Sequence, residues 1–247
     1  MTGFFALLRR ELFSLWVTPL AWVALFAFLL LQGISFYLMV DYHSKFTTLS
    51  IDQGPVQGYF SSLFIPVSLL LVCPSLSMRL LAEERRSGTI EPLLTAPVSA
   101  LSVVLSKYLA TLGTYLAFWL PTVLYLVILR ETGAIDWGAV LASYLGVGLV
   151  GASYLAIGLL MSTLTKSQLL AAMLTTLAIF GVFILGVGER VFDPGPLRDL
   201  CAHVSILSQL DELSRGLVDL RRLVFDLSVS VFCLFLAVRV VASWRWD

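Results

Sequence analysis

Six long apolar runs constrain this chain more than any other feature: Leu20–Val40, Tyr59–Met78, Val103–Leu129, Trp137–Leu160, Leu169–Gly188 and Leu223–Val241. Each approaches or exceeds the roughly 20 residues that a helix needs to cross the hydrocarbon core of a bilayer. In lipid every backbone polar group must be satisfied internally, so the expected fold class is an all-α integral membrane protein with six transmembrane helices. These runs leave only modest loops in 247 residues, so one transmembrane domain spanning 1–247 is expected. The composition agrees, with 59% hydrophobic and 13% charged residues, against about 45–50% and about 25% in soluble domains. That balance excludes an ordinary soluble enzyme and intrinsic disorder alike.

The 16 basic and 16 acidic residues cancel, leaving no basic footprint for a nucleic-acid partner. Cys73, Cys201 and Cys233 are far apart; the first and last lie in apolar runs and read as small core residues, with neither disulfide nor metal spacing. Arg9 and Arg10 before the first run suggest a signal peptide, but the run is too long for one and lacks a small-residue cleavage site. It is read as a retained span. Placing the N-terminus in the cytoplasm puts nine bases and five acids inside, seven bases and eleven acids outside. Loops rich in Lys and Arg stay inside, so N-in and C-in is expected, although five of the outer bases fall in one segment, Glu189–Arg222.

The connecting segments carry further signals. Phe5, Leu8, Leu12 and Leu15 share one face of an amphipathic stretch, Phe4–Trp16, which reads as an N-terminal interfacial helix or as the charged flank of a signal anchor. Between the second and third runs, Leu81–Ser99 reads LAEERRSGTIEPLLTAPVS. Glu83, Glu84, Arg85 and Arg86 are expected to be solvated. Gly88 permits a sharp turn, and Thr89 opens a candidate short helix closed before Pro97. Such a helix is a docking knob for a partner or a plain connecting turn. After Asp193-Pro194-Gly195-Pro196, leucines at spacings of three and four, including Leu207, Leu210 and Leu213, predict two short amphipathic outer helices. Ser208 and Asp211 are read as a capping box and Gly216 as a stop.

The cores of the first five spans hold no ionisable residue; Lys107 lies near the inner end of the third, Asp226 and Arg239 near opposite ends of the sixth. A proton relay normally needs such groups in mid-membrane. His43 and His203 read as loop histidines. Small residues four apart, Gly138/Ala142/Gly146 and Gly148/Ala152/Ala156, permit close helix approach, within one subunit or across a dimer. Pro66, Pro74 and Pro121 are expected to bend their helices.

MRLLAEERRSGTIEPLLTAPVS (Met78–Ser99), SKYLATL (Ser106–Leu112), FWLPTVLY (Phe118–Tyr125), the SxLTKSQ loop (Ser162–Gln168) and SRGLVDLRRLVFDLSV (Ser214–Val229) together resemble ABC type-2 permeases. More narrowly they are similar to the gliding-motility-associated GldF-like permeases, with Ser106 where that family has glycine. The resemblance implies a permease subunit of an ATP-driven ABC transporter in a bacterial inner membrane. It implies a coupling helix between spans two and three that contacts a cytoplasmic ABC ATPase dimer through Glu83, Glu84, Arg85, Arg86, Gly88, Thr89 and Glu91. Lys166 and Gln168 of the second inner loop would lie nearby. The outer helices bearing Leu207, Leu210 and Leu213 would close the exit. No GxxxxGK[ST] phosphate loop occurs, so ATP and Mg are expected in the partner ATPase, and no catalysis, cofactor or metal in this chain. A second permease subunit is also implied, a homodimer or a heterodimer with a chain bearing an extracytoplasmic domain. The cargo would be an amphipathic or lipid-linked molecule in contact with membrane lipid, or force alone would be transmitted. The rival readings are an ion-coupled or channel-like transporter and a structural membrane subunit without ATP coupling.

Overall fold

The structure is a computed structural model that describes residues 2–45, 54–88, 99–132 and 136–244. Every regular element among the described residues is helical: α1 (Thr2–Val17), α2 (Pro19–Lys45), α3 (Pro55–Phe60), α4 (Phe64–Ser77), α5 (Ala82–Ser87), α6 (Ala100–Trp119), α7 (Val123–Thr132), α8 (Trp137–Leu164), α9 (Gln168–Val187), α10 (Pro196–Val204), α11 (Ile206–Ser214) and α12 (Leu220–Ser243). Short 3₁₀ turns follow α6 and α9. Six helical segments are long and apolar enough to cross a membrane: Pro19–Lys45, Phe64–Ser87, Ala100–Glu131, Trp137–Leu164, Gln168–Arg190 and Leu220–Ser243.

The spans match the apolar runs with instructive shifts. The second run is not one helix. α3 ends at Phe60, with Ser61 as its C-cap, and α4 begins at Phe64. Pro66 therefore occupies the first turn of α4, where no helical N–H partner is lost. Pro74 lies inside α4. Pro121 converts span three locally into a 3₁₀ turn, Leu120–Thr122, because proline removes a donor and crowds the preceding carbonyl.

α8 is the most buried span and α9 the least. α8 packs against α12, α9, α11, α4 and α6. Lipid tails are as apolar as leucine, so close helix contact needs small residues and polar bridges. Both occur along α8. Gly151 lies against the Tyr115 ring and Gly158 against Ser77. Tyr115 Oη donates to Val147 O at 2.9 Å, and Tyr108 Oη donates to Ala152 O at 3.1 Å. Gly151 and Gly158 thus serve seams within this chain. α2, α3 and α4 share a buried polar chain in which Tyr59 Oη donates to Gln32 Oε1 and Gln32 Nε2 donates to Ser68 Oγ, each at 2.9 Å. Cys73 and Cys233 are buried and free, as their apolar setting predicts.

α1 packs along α6. Leu15 is buried and Leu8 and Leu12 are half-buried, while Phe5 and Phe13 remain outside with Arg9. Of the four residues expected to share an apolar face, Leu8, Leu12 and Leu15 turn toward the protein and Phe5 stays exposed. His43 is on the last turns of α2, near Gly58 of α3, and not in a loop.

Candidate functional site

The segment after span two owes its shape to a hydroxyl from another helix. After α4 the chain turns over residues 78–81 and re-enters helix as α5. The Leu81 and Ala82 amides both donate to Ser162 Oγ at 3.1 Å, and Ser162 Oγ donates to Met78 O at 3.2 Å. An N-terminal helical turn leaves its amides without partners; here α8 supplies one in trans. α5 ends at Gly88, whose φ of 72° is the left-handed conformation that favours glycine as a helix stop. Glu83 and Glu84 lie in its first turn, Arg85 and Arg86 in its last, the order that the helix dipole favours.

The four charges divide by face. Glu83 and Arg86 are exposed, whereas Glu84 and Arg85 are half-buried, so the expectation that all four are solvated fails for the middle pair. Glu84 Oε1 accepts from Lys107 Nζ at 2.8 Å. The same ammonium donates to Glu11 Oε2 of α1 at 3.1 Å, and the Lys107 side chain is only 3% exposed. Arg10 pairs with Glu11 at 2.8 Å. Burial opposes the ionisation of Glu11, but Lys107 and Arg10 outweigh it and hold the carboxyl below its ordinary range. On the other side of α5, Arg85 Nη1 donates to Thr163 O at 3.0 Å, and its guanidinium lies 4.4 Å from the Trp244 ring centre. α5 is thereby joined to α1, α6, α8 and the end of α12.

At the opposite end, α10 and α11 differ sharply. Leu197 and Leu200 of α10 are exposed, whereas Leu210 and Leu213 of α11 are buried and Leu207 is half-buried. Leu213 occupies the space beside Gly146 of α8. Gln209 Nε2 donates to Asp226 Oδ2 at 2.7 Å, Arg222 Nη2 pairs with Glu212 Oε1 at 3.0 Å, and Gln57 Nε2 donates to Asp211 Oδ1 at 3.2 Å. The cap of α11 is Ser205, which accepts from the Ser208 amide. Ser208 is thus the capped position and not the cap expected, and its hydroxyl bonds Glu189. Gly216, with φ of 77°, is the stop expected.

Residues 35–198, well over half of the chain, match the family model described as ABC-2 family transporter protein. The chain belongs to the ABC-2 family. It is a multi-pass membrane protein and the permease component of a transporter, and ABC-2 permeases generally work with a cytoplasmic ABC ATPase. No curated protein matches the chain.

The matched stretch of this ABC-2 permease contains α5, Lys107 and Ser162, whereas α1, α11 and α12 lie outside it. Glu83, Glu84, Arg85, Arg86 and Gly88 form one compact turn of helix. Thr89, Glu91 and the short helix expected from Thr89 toward Pro97 lie outside the described residues. Lys166 is exposed and Gln168 opens α9. α5 packs on both α8 and α9, with its α8 bonds at Ser162 and Thr163, so the second loop lies beside α5. Sequence reasoning missed Glu11, Lys107, Ser162 and Trp244 as its supports. One signal was available: a lysine inside an apolar run demands a partner, and Glu11 is a carboxylate on a flanking amphipathic helix.

Proposed function

We propose that this chain is the membrane subunit of a GldF-like ABC transporter and that Leu81–Ser99 docks on a cytoplasmic ATPase. One observation carries the reading. Within an ABC-2 match, a charged turn of helix is fastened to four other elements through Glu84, Arg85 and Ser162, yet keeps Glu83 and Arg86 exposed. A segment held that way can receive a push and distribute it to several spans. Thr89 and Glu91 continue the contact, with Lys166 and Gln168 at its border. ATP and Mg are bound by the partner. The docking end faces the cytoplasm of a bacterial inner membrane, with both termini inside, and α11 closes the outer end. Six spans make half of a translocation unit, completed by a second permease that is either a copy of this chain or one with an extracytoplasmic domain. The apolar spans suit an amphipathic or lipid-linked cargo, or force transmission without cargo.

The test is co-expression with a candidate ABC ATPase from the same genome and purification in mild detergent. The wild-type chain retains the ATPase, whereas Arg86→Glu and Gly88→Val lose it while the folded yield of the permease holds. Reconstituted activity that survives an ATPase-dead partner but collapses with the proton gradient overturns the reading in favour of an ion-coupled carrier.

A further inference from the structure

We propose that Lys107 is a positioning residue for energy coupling: its buried ammonium binds α1, α5 and the base of span three into one body, so a push on the docking segment reaches all three together. The inference rests on the docking reading for its role in transport, while the tether itself is read from the bonds.

Three elements distant in sequence meet at this one nitrogen. Glu11 is 96 positions from Lys107 and Glu84 is 23 positions from it. The direct pair between α1 and α5, Arg10 with Glu84, is longer at 3.7 Å, and the Arg10 side chain is 58% exposed. Solvent screens that contact, whereas the Lys107 pairs are shielded. Donors are in short supply: Glu84 Oε2 is buried without a hydrogen-bond partner. Removing the ammonium therefore leaves two largely shielded carboxylates facing each other, Glu11 with only the exposed Arg10 as a base and Glu84 with none closer than 3.7 Å. An ammonium suits the position because its three donors rotate to meet carboxylates from different directions. The tether on the far side of α5 is weaker in kind, one hydrogen bond from Arg85 to a carbonyl and one ring contact.

The experiment measures the distance between spin labels at Arg9→Cys on α1 and Ser87→Cys on α5, both exposed positions, in a Cys201→Ser background. Distances are recorded by pulsed electron paramagnetic resonance for the permease alone and for its complex with the ATPase, nucleotide-free and trapped with ATP and vanadate. The wild-type chain gives one narrow peak that trapping does not move. Lys107→Met loses the narrow peak and shifts on trapping, and Lys107→Arg, which keeps the charge, restores it. The triple variant Glu11→Gln/Glu84→Gln/Lys107→Met leaves no unpaired buried charge, so it folds, and it too loses the peak. A narrow, trapping-independent peak in the triple variant overturns the inference. Retention of the ATPase by Arg86→Glu breaks the docking reading instead, and the distance in the permease alone still decides the tether.

Discussion

The two ends of this permease are fastened by opposite means. At the proposed docking end, the turn between α4 and α5 is held by charge and by backbone caps: Lys107 between Glu11 and Glu84, Ser162 beneath Leu81 and Ala82. At the proposed gate end, α11 is seated by side-chain packing, with Leu213 against Gly146 and Leu210 buried, and polar bonds such as Gln209 to Asp226 act as bolts. Charge pairs act without a close-packed fit, so they can re-form after a small shift. Interlocked side chains have few alternative arrangements, because interiors are dense and deform poorly. The α5 end therefore suits the proposed role of transmitting movement, and the α11 end suits the proposed role of holding one geometry until it is forced.

Four predictions break or sharpen that comparison. The largest effect belongs to Lys107. Losing one partner of a buried ionic cluster costs about 3–5 kcal/mol, so Lys107→Met is expected to destabilise the protein by that order in detergent unfolding. Neutralising Glu11, Glu84 and Lys107 together is expected to recover most of it. If the triple variant is as unstable as the single one, the docking end is held by shape and not by charge.

Leucine truncation separates the outer helices next. Leu213→Ala empties a filled site and is expected to cost about 2–5 kcal/mol. Leu200→Ala, on the exposed α10, is expected to stay within about 0.5 kcal/mol. Equal losses in the same unfolding assay contradict the division between a seated α11 and a surface α10.

Glycine variants compare rigid and yielding neighbours. A Cβ at Gly158 approaches Ser77 Cβ at 2.6 Å, so Gly158→Ala must displace the α4 backbone and is expected to cost about 1–3 kcal/mol. At Gly146 the obstacle is the tip of Leu213, which can rotate, so Gly146→Ala is expected to cost less. Thermal midpoints of the two variants in one detergent decide the order.

The smallest effect is acid sensitivity. The folded Glu11 carboxyl titrates below its ordinary range. Its contribution is fully present above the unfolded value, about 4.3, and is lost as pH falls through the folded value. Unfolding measured from about pH 6 to about pH 3 should show a steeper acid loss in the wild type than in Glu11→Gln. Identical slopes remove Glu11 from the Lys107 tether.

Sequence alone determined the membrane-spanning class and where the spans lie, because the length and apolarity of each run are local properties that the bilayer reads directly. It also determined the breaks at Gly88, Pro121 and Gly216, since left-handed φ and the missing proline donor are properties of single residues. Even there the second run misled, because hydropathy does not distinguish α3 and α4 from one helix when both are apolar. Only the tertiary structure decided that Glu84 turns inward while Glu83 stays exposed, that Ser162 caps a helix 80 residues away, and that Leu213 rather than Leu200 is buried. Each of those outcomes depends on which surface from elsewhere in the chain arrives beside the residue. A pattern of threes and fours identifies an apolar face, but what covers it is set by the packing of α8 among its neighbours.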